Sequence, residues 1–441
     1  MTRFLRISGA ALLAISAMSL GAQQPGPKLR ALGPVVSKSA DLLDAVSTAR
    51  QLPDGRLLVN DISGRKLVLF EKDLAKFTVL ADTTSATGNA YSSRAGGLIA
   101  WKGDSSLFVD PQSLSMIVID PTGKLGRSMA APRANDVGLL IGGPTGTPGI
   151  DATGRLVYRA QPGFRMAPPA PGATGMPTMP AIPDSAPLVR YDLAARKLDT
   201  VTFLKTAKAN IQMSQDDKGR MNVLVTLNPM PNADDWALLS DGSIAVVRSQ
   251  DYHIDWTKPT GEKVTTGKMS FDWKRLSDED KVAFLDSART SMEKLRQNAM
   301  SGNITPAQAM SGQTVIQSQG QQRFERGGDA GGPPRAITMG AGPNAMSVQP
   351  INMVPPSDLP DYAPPFSPGA ARGDMDGNLW IRTSKVVSGG SQYDVINSKG
   401  EIVDRVLMPA GRVIAGFGRD GVVYMGVRED KGVRLEMAKV R

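Results

Sequence analysis

The sequence predicts an all-β chain of six four-stranded units closed into a ring, a six-bladed β-propeller. Three observations predict it. A phrase made of an acid, a glycine, one polar residue and an alternating apolar run keeps returning. It stands at Asp54-Gly55-Arg56-Leu57-Leu58-Val59, at Asp241-Gly242-Ser243-Ile244-Ala245-Val246 and at Asp376-Gly377-Asn378-Leu379-Trp380-Ile381. A version with a two-residue insert runs from Asp151 to Tyr158, and looser copies run from Gly103 to Val109 and from Asp420 to Tyr424. The spacing is that of propeller blades: 50 residues from Asp54 to Asp104, 47 from there to Asp151, and 44 from Asp376 to Asp420. Between the phrases lie short β-compatible runs bounded by turn residues.

Taken in order, residues 23–31 form a Pro/Gly lead-in. Unit one uses Ala45–Leu52, Leu57–Val59, Lys66–Phe70 and Phe77–Leu80. Unit two uses Gly97–Trp101, Leu107–Val109, Met116–Ile119 and Leu125–Met129. Unit three uses Gly149–Ile150, Leu156–Arg159, Leu188–Tyr191 and Thr200–Leu204. Unit four uses Trp236–Leu239, Ile244–Arg248, His253–Trp256 and Lys263–Gly267. Unit five uses Ala370–Gly373, Leu379–Arg382, Tyr393–Ile396 and Val403–Met408. Unit six has only Val413–Phe417, Val422–Val427 and Arg434–Val440. An open blade leaves an unpaired edge, so Leu32–Val36 is expected to supply the missing outer strand against Arg434–Val440. Pro34 suits such an edge, and the alternative is a frayed tail.

On the period, the Asp-Gly turns and the phrase Tyr393-Asp394-Val395-Ile396-Asn397-Ser398-Lys399-Gly400, residues 31–441 resemble six-bladed propellers of the NHL-repeat and TolB-like kind, in particular secreted bacterial members of unassigned activity. The resemblance implies a fold rather than a task, because propellers host unrelated functions.

Residues 1–22 read as a secretory signal: Arg3 and Arg6, then an apolar run from Ile7 to Leu20, then Gly21-Ala22. The expected location is therefore secreted or periplasmic. The apolar run is too short to span a membrane comfortably. The chain has no cysteine, which excludes disulfides, thiolate metal sites and a lipid-modified cysteine. Losing the signal would leave 49 basic against 42 acidic residues, a formal +7. That excess fits anionic neighbours or simple solubility, and nothing in the motifs suggests nucleic acid. A monomer is expected.

Two stretches break the period. Residues 161–187 are rich in Pro, Gly and Met, and fall inside unit three. Residues 268–368 separate units four and five. Within them the spacing Val282, Leu285, Ala288, Met292, Leu295, Ala299 predicts a helix over 278–300. Ser277 is placed to cap it, with Asp278, Glu279 and Asp280 in its first turn. Residues 301–350 read as low-complexity. By propeller topology both insertions decorate one face, as docking arms or as neutral loop growth.

The candidate site residues lie toward that face. Arg159, Arg248 and Arg382 end the second strands of their units, where Asp61 and Asp110 stand in units one and two. Converging guanidiniums bind carboxylate, sulfate or phosphate bidentately. The alternative is that each arginine pairs with an acid of a neighbouring blade. The single histidine, His253, alternates with Asp251 and Asp255 on one strand, so all three point to one side. They are the weak catalytic candidates, with a packed histidine as the alternative. Asp374-Met375-Asp376-Gly377-Asn378 fails the EF-hand register, and no resident metal or cofactor is assigned. Calcium enters only through the calcium-dependent lactonases of this architecture, whose acid-plus-asparagine set has no clear counterpart here. No G-x-S-x-G elbow, P-loop or dinucleotide fingerprint is present.

The expected function is an exported binding propeller for an anionic small molecule, glycan or protein segment. The alternatives are a lactonase-like hydrolase or lyase in the funnel, or a partner protein docking through the helix.

Overall fold

A computed structural model describes residues 27–84, 89–91, 95–163, 183–207, 210–215, 221–300, 337–339, 346–348 and 352–440. Six antiparallel sheets follow one another as blades. Blade 1 is Val46–Gln51, Leu57–Asp61, Lys66–Phe70 and Phe77–Ala81; blade 2 is Gly97–Ala100, Ser106–Asp110, Ser115–Ile119 and Leu125–Ala130. Blade 3 is Gly149–Ile150, Leu156–Arg159, Ser185–Asp192 and Lys197–Lys205; blade 4 is Asp235–Leu238, Ile244–Arg248, His253–Thr257 and Lys263–Thr265. Blade 5 is Phe366–Gly373, Leu379–Val387, Gly390–Ile396 and Ile402–Pro409; blade 6 begins with Arg412–Phe417, Val422–Glu429 and Gly432–Lys439.

The recurring phrase is a turn with a fixed mechanism. Its acid accepts the amide two residues on, as Asp54 does from Arg56 (3.0 Å) and Asp241 from Ser243 (2.8 Å). The glycine takes the left-handed conformation, with φ of 88° at Gly55. In blade 5 the acid that plays this part is Asp374 rather than Asp376. It accepts the amides of Asp376 (2.9 Å) and Asn378 (2.7 Å) and the indole N–H of Trp380 (2.9 Å).

The second strand of each blade is covered on both sides, which is why it reads Leu-Leu-Val rather than as strict alternation. Leu57 and Val59 join a cluster with Tyr424 and Leu435 of blade 6, while Leu58 joins one with Phe108 of blade 2. Tyr158 packs with Leu107 at the junction of blades 2 and 3, and Trp236 with Leu188 at that of blades 3 and 4. Trp256 meets Leu379 between blades 4 and 5, and Trp380 meets Met425 between blades 5 and 6. Six junctions, each filled by its own apolar cluster, make the ring continuous.

The N-terminal segment closes the ring. Val35–Lys38 pairs antiparallel with Gly432–Lys439, setting Val35 opposite Ala438 and Lys38 opposite Glu436. The strand lies slightly later than the expected Leu32–Val36. Just before it, Leu29–Ala31 adds a parallel fifth strand to blade 5, Leu29 opposite Arg405.

The helix α1 runs over Asp278–Met300 as the spacing predicts. The Ser277 hydroxyl accepts the Asp280 amide (3.2 Å) and the Asp280 carboxylate accepts the Ser277 amide (3.1 Å), a reciprocal cap. A seventh sheet escapes sequence reasoning. The hairpin Asn210–Gln215 and Met221–Leu227 is joined by Ile337–Met339, Met346–Val348 and Asn352–Met353 from the second insertion. Met221 lies opposite Met346 in parallel register, so a hairpin between blades 3 and 4 and a stretch of the 268–368 insertion build one sheet. Short strands in a Gly/Gln/Ser-rich stretch carry no period, and their partner is remote in the chain. The signal at 1–22, most of the Pro/Met loop (164–182) and residues 301–336 lie outside the described residues. Among the described residues no helix is long and apolar enough to cross a membrane.

Candidate functional site

First strands enter, and second strands leave, on the face that carries the insertions. On that face, backbone segments of two non-adjacent blades come together as a bridge. The first strand of blade 5 bulges, so that Phe366 opposes Thr383 while Ala371 opposes Ile381. Gly369, at φ 81°, comes so close to the segment before blade 3 that a Cβ there would lie 3.1 Å from Pro144 Cα. Blades 3 and 5 are not neighbours, so these segments meet past blade 4, which stands between them. The segment is pinned from below, because the Trp236 indole N–H donates to the Thr145 carbonyl (2.8 Å).

Beside this bridge lies Asp235, the first residue of blade 4 and only 2% exposed. Its Oδ1 accepts the Trp236 amide (2.9 Å) and its Oδ2 the Ala371 amide of blade 5 (2.8 Å). Burial pushes its pKa up to about 6 against these hydrogen bonds and the nearby Arg372 guanidinium. Arg159 reaches the same carboxylate electrostatically from blade 3, and Arg372 from blade 5. Both guanidiniums are held below their usual pKa by burial. Arg159 Nε is buried and has no hydrogen-bond partner. Arg372 is in turn repelled by Arg382, which is exposed and lies opposite Tyr393 in the blade 5 ladder. Among the described residues no acceptor hydrogen-bonds Arg159, Arg372 or Arg382.

The structure therefore divides the arginines read from the sequence. Arg159 and Arg382 keep open guanidiniums, and Arg372, which the repeat alignment passes over, stands with them. Its signal was present in a weak form: an arginine on an innermost strand, where the axis is near and side chains are small. Arg248 is spent elsewhere. Its Nε donates to Asp255 (2.7 Å), and its Nη1 to Asp234 (2.7 Å) and to the Phe203 carbonyl (3.0 Å). Asp61 and Asp110 hold local backbone and turns. Asp61 accepts the amides of Asp44 (3.1 Å), Ala45 (2.9 Å) and Gly64 (3.0 Å), and Asp110 accepts the Ser113 hydroxyl (2.7 Å).

His253 does share one side of its strand with both acids. Its Nδ1 lies 2.6 Å from Asp251 Oδ1 and its Nε2 lies 3.5 Å from Asp255 Oδ1. Both ring nitrogens thus face carboxylates, and Asp255 is also bound by Thr265 and Arg248. A small cleft of about 170 Å³ opens nearby between Thr202, Val246, Asp255 and Lys263. That is below the size of ordinary ligand pockets. Among the described residues no three His, Cys, Asp or Glu side chains stand together as a metal-holding group.

The buried carboxylate predicts a pH dependence. Its pKa is raised in the fold, so between the unfolded value near 4 and about 6 the native state binds more protons than the unfolded chain. The contribution of Asp235 to stability therefore falls as pH rises through that window, by about 3 kcal/mol. Chemical denaturation of the native chain and of Asp235→Asn across this range should show curves that diverge by this amount. Parallel curves would mean that the carboxyl ionises as freely folded as unfolded.

No family model matches the chain, and no curated protein matches it. Solved structures do. A gluconolactonase from Xanthomonas campestris is 9% identical over 93% of this chain and 98% of its own, with a TM-score of 0.36. Regucalcin, a calcium-binding protein from Agrobacterium tumefaciens, is 11% identical over 94% and 98%, with a TM-score of 0.38. Virginiamycin B lyase from Staphylococcus aureus is 9% identical over 92% and 87%, with a TM-score of 0.35. At such identities no residue role carries over to this chain.

Proposed function

We propose that this chain is an exported binding propeller that captures an anionic ligand at Arg159, Arg372 and Arg382. The observation that carries this reading is the open guanidinium set. Arg159 Nε is buried without an acceptor, and Arg372 is desolvated beside Arg382. Unpaired buried donors are costly, and a carboxylate, sulfate or phosphate oxygen satisfies them bidentately.

The double variant Arg159→Ala/Arg372→Ala tests it. Inorganic sulfate should raise the melting temperature of the native chain and leave that of the variant unmoved. An equal shift in both would remove these arginines from the site. Arg248→Ala offers the contrast, since its guanidinium is already bound: sulfate should still stabilise it.

A second reading is a hydrolase or lyase at the same place, and Asp235 favours it. A buried carboxyl with a pKa of about 6 suits proton transfer near neutrality. Turnover of a lactone or ester substrate that Asp235→Asn abolishes would establish it; turnover that survives the change would end it.

A further inference from the structure

We propose that a second surface on the inserted face binds a neutral polysaccharide, stacking its sugar rings on Trp273 and Tyr362. It does not rest on the anion-binding reading above. Of the five tryptophans, Trp236, Trp256 and Trp380 are buried, Trp101 is half-buried and only Trp273 is exposed, at 37%. Tyr362 is 50% exposed. One exposed ring needs no explanation, but these two share a face. Residues 273–276, which leave blade 4, run antiparallel to residues 361–364, which lead into blade 5. The Leu276 amide donates to the Asp361 carbonyl (2.8 Å) and the Ala363 amide to the Lys274 carbonyl (2.9 Å). Arg275 and Tyr362 are therefore a non-hydrogen-bonded pair, the kind whose side chains stand closest, and Trp273 is the diagonal neighbour of Tyr362. Diagonal neighbours lie about 7–8 Å apart, a span that a disaccharide covers.

The platform is built in advance. Phe271 meets Trp273 edge-on, with 5.4 Å between ring centroids, and the buried Tyr252 meets Phe271 edge-on at 5.6 Å. Blade 5 backs the ribbon, because the Ser384 amide donates to the Pro365 carbonyl (2.8 Å) and the Ser384 hydroxyl to that of Pro364. A ring already fixed in place leaves little ordering to be done on binding. Its negative face suits the C–H side of a sugar ring, whose hydrogens carry partial positive charge. The surrounding charges decide the kind of sugar. Asp272 is answered by Lys385 (3.8 Å), Asp280 by Lys274 (3.1 Å) and Asp361 by Lys281 (2.8 Å). Arg275 is offset by Asp278 and Glu279 in the first turn of α1. The patch thus has no excess of positive charge to draw a polyanion or an anionic bilayer. Among the described residues no acceptor hydrogen-bonds Arg275, which leaves its donors for the hydroxyls of a sugar lying on Tyr362.

Acrylamide quenching of the full chain reads this surface directly, because Trp273 is the exposed tryptophan. The probes are cellohexaose, maltohexaose and chitohexaose, three neutral oligosaccharides. At least one should shield Trp273 from acrylamide at millimolar concentration, with an affinity that added salt leaves unchanged. Trp273→Ala and Tyr362→Ala should each weaken calorimetric binding of that sugar at least about tenfold, the loss of one stacked ring, and Trp273→Phe should keep part of it. Both side chains are exposed, so the variants should melt near the native temperature. Shielding by none of the three sugars, binding that survives both alanine changes, or tighter binding of hexagalacturonate or of phosphatidylglycerol vesicles than of any neutral sugar would each overturn the proposal. Shielding is read on the native chain, so the test stands even where a variant folds poorly. Stabilisation by sulfate is a separate readout, so this surface and the anion site can fail independently.

Discussion

A chain that begins at Ser39 should melt at a lower temperature than the full chain and self-associate more. The segment it lacks ties two blades at once. Leu29–Ala31 lies along the outer edge of blade 5, and Val35–Lys38 completes blade 6. Arg30 joins them: its Nε donates to both oxygens of Asp404 on blade 5 (3.0 and 2.9 Å), and its Nη1 to the carbonyl of Val440 at the end of blade 6. Gly33 passes so close to the chain that a Cβ there would lie 2.2 Å from the Lys439 carbonyl oxygen. Leu32 and Val35 pack on the apolar cluster that joins the two blades. Without the segment, Glu436 to Ala438 of the last strand present an unpaired edge, a template for another copy, while Val433 keeps its pairing with Leu43. Size-exclusion chromatography and a thermal melt would show the change. A synthetic peptide of residues 27–39 should reverse the added self-association. A shortened chain that stays monomeric and melts unchanged would show that the ring holds without its strap.

Trp236→Ala should cost about 3–5 kcal/mol of stability, the range for emptying a buried large aromatic. The indole is 1% exposed and packs with Leu188, Leu204 and Val246 where blades 3 and 4 meet. It also positions the site. Its N–H holds the Thr145 carbonyl, and Gly146 sits against the ring so tightly that a Cβ there would fall 2.2 Å from Nε1. The segment it pins is the one that meets Gly369 of blade 5. Trp236→Ala should therefore loosen the bridge and weaken sulfate binding, whereas Trp256→Ala, which empties the junction of blades 4 and 5, should lower stability and spare the bridge. Urea titrations give the first effect and calorimetry the second. Equal loss of sulfate affinity in both variants would mean that general destabilisation, not the pinned segment, governs binding.

Much of the architecture was legible before the structure. Asp-x-x-Gly and Asp-Gly turns have a local mechanism, an acid accepting a nearby amide and a glycine at positive φ, so they announce themselves wherever they fall. The helix over 278–300 was equally legible, since its stripe and its Ser277 cap are local. The seventh sheet was not, because Met221 and Met346 meet only once the ring has brought two insertions together. The site was half legible. Arg159 and Arg382 follow from a recurring position on the second strand, which ends the strand in blade 3 but lies mid-strand in blade 5, where the strand runs on to Val387. Arg248 occupies the same position and fails to join them because Asp234 and Asp255 stand within 2.7 Å.

The sequence by itself determined the six units, their turns, the interrupted face and the need for a closing strand. These depend on contacts between residues a few positions apart and on a period that needs no partner to be read. Only the tertiary structure decided which charges are free. Whether a guanidinium is paired, or a carboxylate buried, depends on what the next blade presents, and blade-to-blade neighbours lie far apart in the chain. Asp235 shows the difference: in the sequence it is one of two adjacent acids, and in the ring it alone is turned inward, onto the amide of Ala371 and between two arginines.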